Sequence, residues 1–257
     1  MNELSQRCTI FLVKQPFDLE KHLAQEHNIN PLSTYLKEIV YGGNDGIVTT
    51  FAVVAGFAGA QAQGIGNLPV AAVLLFGFAN LFADGVSMSL GNFLSTHSEK
   101  DVYRNFKAKE LEEIRHDPAI EKAETVEILK RKGFSEKQAT ELVNLYAANE
   151  TYWLEFMMNQ ELELPNPEGD NPLLMAVATF SSFVTFGLIP LLPYVFLGLS
   201  PHLFFYSVLT TGGALLLLGI LRWYVARQAW WRSIGETLLL GGSAAGVAYV
   251  VGTLFRA

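Results

Sequence analysis
The 257-residue sequence has a single cysteine, Cys8, which excludes an intrachain disulfide and any metal site built from several cysteines. Its five histidines, His22, His27, His97, His116 and His202, are scattered without a His-Glu-x-x-His run, so they read as surface or capping residues and not as a zinc site. Charge is scarce too. Only 17 % of residues are Asp, Glu, Lys or Arg, against about 25 % in an ordinary soluble domain. The scarcity is concentrated: residues 46–98 carry one charge, Asp84, and residues 171–221 and 237–255 carry none. A simple soluble protein is excluded, and these stretches belong in lipid. The first 30 residues carry charges throughout, and their longest apolar run, 8–13, is too short for the core of a secretory signal, so none is expected.

What is present is apolar: half of the residues are hydrophobic. A helix needs about 20 such residues to cross a hydrocarbon core of about 30 Å, so the three stretches hold two, two and one spans. The expected helices are 39–60, 68–95, 173–197, 202–221 and 237–254, with short breaks at 61–67 and 198–201. Five spans put the termini on opposite sides, and basic residues choose the orientation. Seventeen of the 18 Lys and Arg precede span one, separate spans two and three, or follow span four; only Arg256 falls on the other side. The N-terminal segment and the middle region are therefore expected to be cytoplasmic. In a chain of net charge −7, the basic residues are topological signals, and no nucleic-acid partner is expected.

Residues 99–168 hold sixteen Asp or Glu against ten Lys or Arg, nearly the whole negative balance of the chain. Helix punctuation is dense there. Asp117 can cap a helix with Pro118 at its first position, Gly133 can end it, Ser135 with Gln138 forms a capping box, and Asn149 can cap a further helix. Residues after Glu99 can simply continue span two, so three or four helices are expected. Glu110 and Glu113 lie three apart, as do Glu121 and Glu124, so each pair shares a helix face and repels. A divalent cation relieves that repulsion, and Met157, Met158 and Glu161 offer further ligands on one local segment. Hard carboxylates with soft thioethers lean toward a transition metal such as Fe²⁺ over Mg²⁺ or Ca²⁺. Spacing alone equally fits a solvated acidic face with two core methionines.

Two acids lie deep in apolar stretches, Asp45 and Asp84, at roughly 2.5 to 3.5 kcal/mol each on insertion scales. Glu38, Asp45 and Thr49 share one helix face, and Asn80, Asp84, Met88 and Asn92 follow at four-residue steps, so two helices can line one path. The bland alternative is that the acids sit near helix ends with polar partners while Met88 packs. Gly42 with Gly46, and Gly242 with Gly246, have the spacing that permits close helix approach, without naming the partner.

These residues carry a family resemblance. The run YGGNDGIVTTFAVVAG from Tyr41 resembles the first-helix signature of the vacuolar iron transporter family, and VSMSLGNFLS from Val86, followed by Ser98 and Glu99, resembles its second. The likeness continues through the Glu-rich insert, the FMM motif at Phe156 and the run LIPLLPY from Leu188, covering residue 36 to the C-terminus. It implies a five-helix homodimer with its path between the subunits, exchanging cytosolic Fe²⁺ for protons. By the resemblance, Glu38, Asp45 and Met88 line the path. Glu110, Glu113, Glu121, Glu124 and Glu161, with Met157 and Met158, are by the same resemblance the cytoplasmic metal ligands. Asp84, Ser89 and Asn92 stand where the family often has small residues, which implies a more polar path.

The expected fold class is therefore all-α: a polytopic membrane protein with five transmembrane helices and a cytoplasmic helical metal-binding domain inserted between helices two and three. Its parts are a segment 1–35, spans one and two in 36–98, the acidic domain 99–168 and spans three to five in 169–257. The expected function is Fe²⁺ export from the cytosol by proton antiport, with divalent ions, protons, the bilayer and a second copy as partners and no prosthetic group. Transport of Mn²⁺, Co²⁺ or a broad divalent range on the same architecture is the nearest alternative, and a membrane-bound metal sensor or buffer the next. No enzyme activity is expected, since Glu113 and His116 make only a single Glu-x-x-His pair where a diiron site takes two. The expected location is a prokaryotic cytoplasmic membrane.

Overall fold
The computed structural model describes residues 18–19, 21–22, 31–62, 69–198, 200–226 and 229–254. Cys8, the run 8–13, His27, most of segment 1–35, the expected break beyond residue 62, Arg227 and Arg256 lie outside the described residues. Every regular element among the described residues is helical: α1 (Pro31–Thr34), α2 (Leu36–Ala62), α3 (Val70–His116), α4 (Pro118–Arg131), α5 (Glu136–Ala147), α6 (Glu150–Gln160), α7 (Pro172–Gly187), a 3-10 turn (Ile189–Leu191), α8 (Leu192–Phe196), α9 (Leu203–Ala226) and α10 (Trp230–Leu254). Four helical stretches are long and apolar enough to cross a membrane: the apolar first half of α3, α7 with α8, α9 and α10. The fifth expected span, α2, has the length, about 40 Å at 1.5 Å per residue, but it is more polar and glycine-rich and is not among the four.

α2 lies at the centre, packed against α7, α10, α9 and α3. Its glycines permit this. A Cβ on Gly42 would meet the Thr179 carbonyl oxygen at 2.7 Å, and one on Gly46 would overlap the Phe183 backbone, so this spacing is filled by α7 of the same chain. The matching pair in α10 behaves differently: Gly242 and Gly246 face open space, while Gly252 is the residue pressed against Gly56 of α2. The core between these helices holds Phe51, Val54, Val73, Leu191 and Leu203, with Ile47, Leu215 and Leu218 alongside.

Two expected spans change shape. Residues 173–197 are not one helix, because Pro190 and Pro193 each lack an amide donor and crowd the preceding turn. The carbonyl freed at Pro190 is buried, and the Ser207 hydroxyl of α9 donates to it at 2.7 Å. The last helix begins at Trp230, seven residues before the expected start, since the charges that marked its end neutralise each other: Glu236 accepts from Arg232 at 2.9 Å and from Arg222 at 2.7 Å.

α3 runs unbroken for 47 residues, about 70 Å. Its second half leaves the apolar zone and packs with α4 and α6. The expected punctuation forms with one exception: Pro118 opens α4, but Asp117 at its N-cap makes no side-chain capping hydrogen bond. Gly133 at φ +101° closes α4 with Phe134 N–H on the Leu129 carbonyl, Ser135 and Gln138 make a capping box, and Asn149 accepts from Tyr152 N–H. Tyr103 and Ile114 of α3 join Trp153, Leu154, Met157 and Met158 in one apolar cluster, so α3 supplies the fourth helix of the insert.

Candidate metal-handling sites
Three elements of the insert bring their acids to one corner. Glu110 comes from α3, Glu121 from the first turn of α4, and Glu161 caps the C-terminus of α6. One carboxylate oxygen of each lies within 4.8 Å of the others. Glu110 is 3 % and Glu121 6 % exposed, and Oε1 of the first and Oε2 of the second are buried without a hydrogen-bond partner. Burial, reinforced by Glu161, Glu121 and Glu113, pushes the Glu110 carboxyl up to about 8. Burial and then Glu124 raise Glu121, and burial, Glu124 and Glu113 raise Glu161. All five glutamates singled out by spacing thus act on one another, with Glu110, Glu121 and Glu161 converging. Glu113 is turned to Lys109 at 3.3 Å, and Glu124 is exposed. Such a corner takes either a proton, shared between Glu110 and Glu121, or a cation.

Met157 and Met158 are fully buried beneath this corner. The Thr125 hydroxyl lies 3.3 Å from the Met157 sulfur and 2.7 Å from the Glu121 carbonyl, and it accepts from the Trp153 indole at 2.9 Å. Its one hydrogen therefore serves either the sulfur or the helix carbonyl. Both methionines are part of the apolar cluster, whichever further role they have.

A second arrangement lies where α2, α3 and α7 meet. Glu38 and Met88 line one cavity of about 410 Å³ with Tyr41, Asn92, Ser95 and Thr179. Glu38 is 4 % exposed and its Oε2 is buried without a hydrogen-bond partner, on a cavity wall that also includes Met88 and Lys37. Asn92 donates to the Thr179 hydroxyl at 2.8 Å, fixing α3 to α7 across the cavity. Asp45 is half-buried outside that lining, within electrostatic reach of Asp84, whose Oδ2 accepts from Asn80 at 2.8 Å. The Asn80-to-Asn92 strip is therefore split between an internal hydrogen bond and the cavity wall. Thr179 and Tyr41 escaped the sequence reading; the signal for Thr179 was a hydroxyl in a stretch without charge.

A helical bundle of membrane-spanning length, with a buried, unpartnered carboxylate oxygen and a methionine on one cavity wall and an acidic cluster on a long helical extension, defines a membrane protein suited to divalent cations. The chain belongs to the VIT family, whose model matches residues 36–253. It is 33 % identical over 236 residues to a protein of Oryza sativa subsp. japonica named vacuolar iron transporter 2, covering 92 % of each chain. It is 34 % identical over 214 residues to vacuolar iron transporter 1 of Eucalyptus grandis, covering 83 % of this chain and 84 % of that one. A Toxoplasma gondii vacuolar iron transporter is 34 % identical over 251 residues, covering 93 % of this chain and 81 % of its own. These relatives give the expected prokaryotic membrane no support.

Proposed function
We propose that the protein carries Fe²⁺ across its membrane in exchange for protons, moving the ion away from the side that bears the acidic insert. The observation that carries this reading is the buried, unpartnered Glu38 carboxylate sharing a cavity with Met88. A buried carboxylate oxygen without a hydrogen-bond donor is a ready ligand for a divalent ion. α2 is span one and brings the number of spans to five, and by the basic-residue rule the N-terminal segment and the insert are cytosolic. Glu110, Glu121 and Glu161, with Glu113 and Glu124 around them and Met157 and Met158 beneath, collect the ion. Glu38 receives it, and Asp45 and Met88 of two copies flank the path between subunits. Protonation of Asp45 from the far side releases the ion.

Proteoliposomes with an acidic lumen test this directly, reading internal metal and pH together. Fe²⁺ should accumulate as protons leave, and Asp45→Ala should abolish both. Metal binding without flux would replace the proposal with the sensor or buffer reading, which the acidic corner alone satisfies. A competition series with Mn²⁺ and Co²⁺ measures the preference among metals.

A further inference from the structure
On the other side of α2 lies a second cavity, of about 560 Å³, between α2 and the facing ends of α9 and α10. Its wall has two chemistries. Leu36, Val40 and Leu240 are apolar, while Lys37 and Arg222 bring cations to the rim. Arg222 pairs with Glu236 at 2.7 Å, but Glu236 is shared with Arg232, so with Lys37 the group holds three cations against one anion. Lys37 has no ion-pair partner among the described residues. The buried Oδ1 of Asn44, another wall residue, has no donor. Exposed Trp223, Tyr224, Trp230 and Trp231 cluster at the same helix ends, the residue types that mark the boundary between hydrocarbon and headgroups.

We propose that this cavity binds the headgroup of an anionic phospholipid, with phosphatidylglycerol as the probe, and that the bound headgroup controls cation access to Glu38 through Lys37. The phosphate meets Lys37 and Arg222, and the glyceride end continues along Leu240 into lipid. The control follows from position. Lys37 and Tyr41 border both this cavity and the one that holds Glu38 and Met88. A free ammonium there repels an arriving divalent ion; a phosphate beside it cancels that repulsion. Binding stands on the cavity alone, whereas the control rests on the transport reading above.

Native mass spectrometry of the full chain in detergent, with phosphatidylglycerol and phosphatidylcholine at equal concentration, tests the site. The anionic lipid should be retained preferentially, with the preference falling roughly fivefold in Lys37→Gln and again in Arg222→Gln. Equal retention of the two lipids, or a preference that survives in both variants, overturns the site. Displacement by soluble glycerol phosphate overturns a lipid source in favour of a free phosphate. Fe²⁺ flux in vesicles with and without phosphatidylglycerol then tests the control: the wild-type gain should be several-fold and the Lys37→Gln gain small. An equal gain in both is the general surface potential and overturns the Lys37 link. Absence of flux in every lipid removes the transport reading and the control together, while the retention measurement still decides the site.

Discussion

Folding holds the Glu110 carboxyl near 8 against an ordinary 4.5, so the folded chain favours its neutral form. The stability this contributes is complete below about 4.5 and is lost as the pH rises through about 8. The metal-free protein should therefore melt at progressively lower temperature from about pH 5 to about pH 8, and Glu110→Gln should remove most of that slope. Saturating divalent metal should flatten it as well, because the ion replaces the proton. An unchanged slope in the Gln variant, measured by thermal melts in detergent, would place the titrating group elsewhere. A second residue carries strain: Glu163, exposed just beyond α6, has φ +52°, where an L side chain costs about 1–2 kcal/mol. Glu163→Gly should stabilise the insert by about 1 kcal/mol once glycine's greater unfolded freedom is subtracted. Glutamate spacing was legible here, since each pair shares a helix face; the meeting of Glu110 with Glu161 was not, because helical period says nothing about which face of another helix it meets.

At the scale of elements, two glycine pairs with identical spacing have opposite roles. Gly46 presses on the Phe183 backbone, so Gly46→Ala must push α2 and α7 apart and should cost on the order of 2 kcal/mol or more. Gly242→Ala and Gly246→Ala meet nothing within 4 Å and should leave the melting temperature of the detergent-solubilised protein within about a degree of wild type. A large loss at Gly242 would show that a second copy covers that face. Sequence could not separate the pairs, because the spacing states only that a close approach is allowed. The helices around them were more legible: α2 and α9 fall near their expected bounds, the caps of α5 and α6 sit on the residues that announced them, and α4 starts at Pro118 although Asp117 does not cap it. The break at Pro190 was visible as a residue type, but a length count across apolar residues passes over it.

At the scale of the whole molecule, α3 is a rod that joins two sites too far apart to hold one ion. From Met88 to Glu110 is 22 residues of continuous helix, about 33 Å. The return segment is tied to the same rod, Glu168 accepting from Arg104 at 2.7 and 3.0 Å and from Lys100 through its carbonyl at 3.1 Å. These exposed pairs set position more than stability. With that separation, an ion held at the acidic corner would have to leave it before reaching Glu38, so in the proposed function the corner raises the local supply of metal and takes no part in the crossing. The two sites should then separate kinetically. Glu110→Gln with Glu121→Gln should raise the Fe²⁺ concentration for half-maximal flux by about tenfold while leaving maximal flux within about twofold, the signature of lost capture. Glu38→Gln should lower maximal flux by about tenfold or more, because the neutral side chain holds a divalent ion poorly. Should the insert variants instead abolish maximal flux, the ion's passage through the corner would be obligatory, and α3 would have to bend or the insert to swing toward the membrane in each cycle.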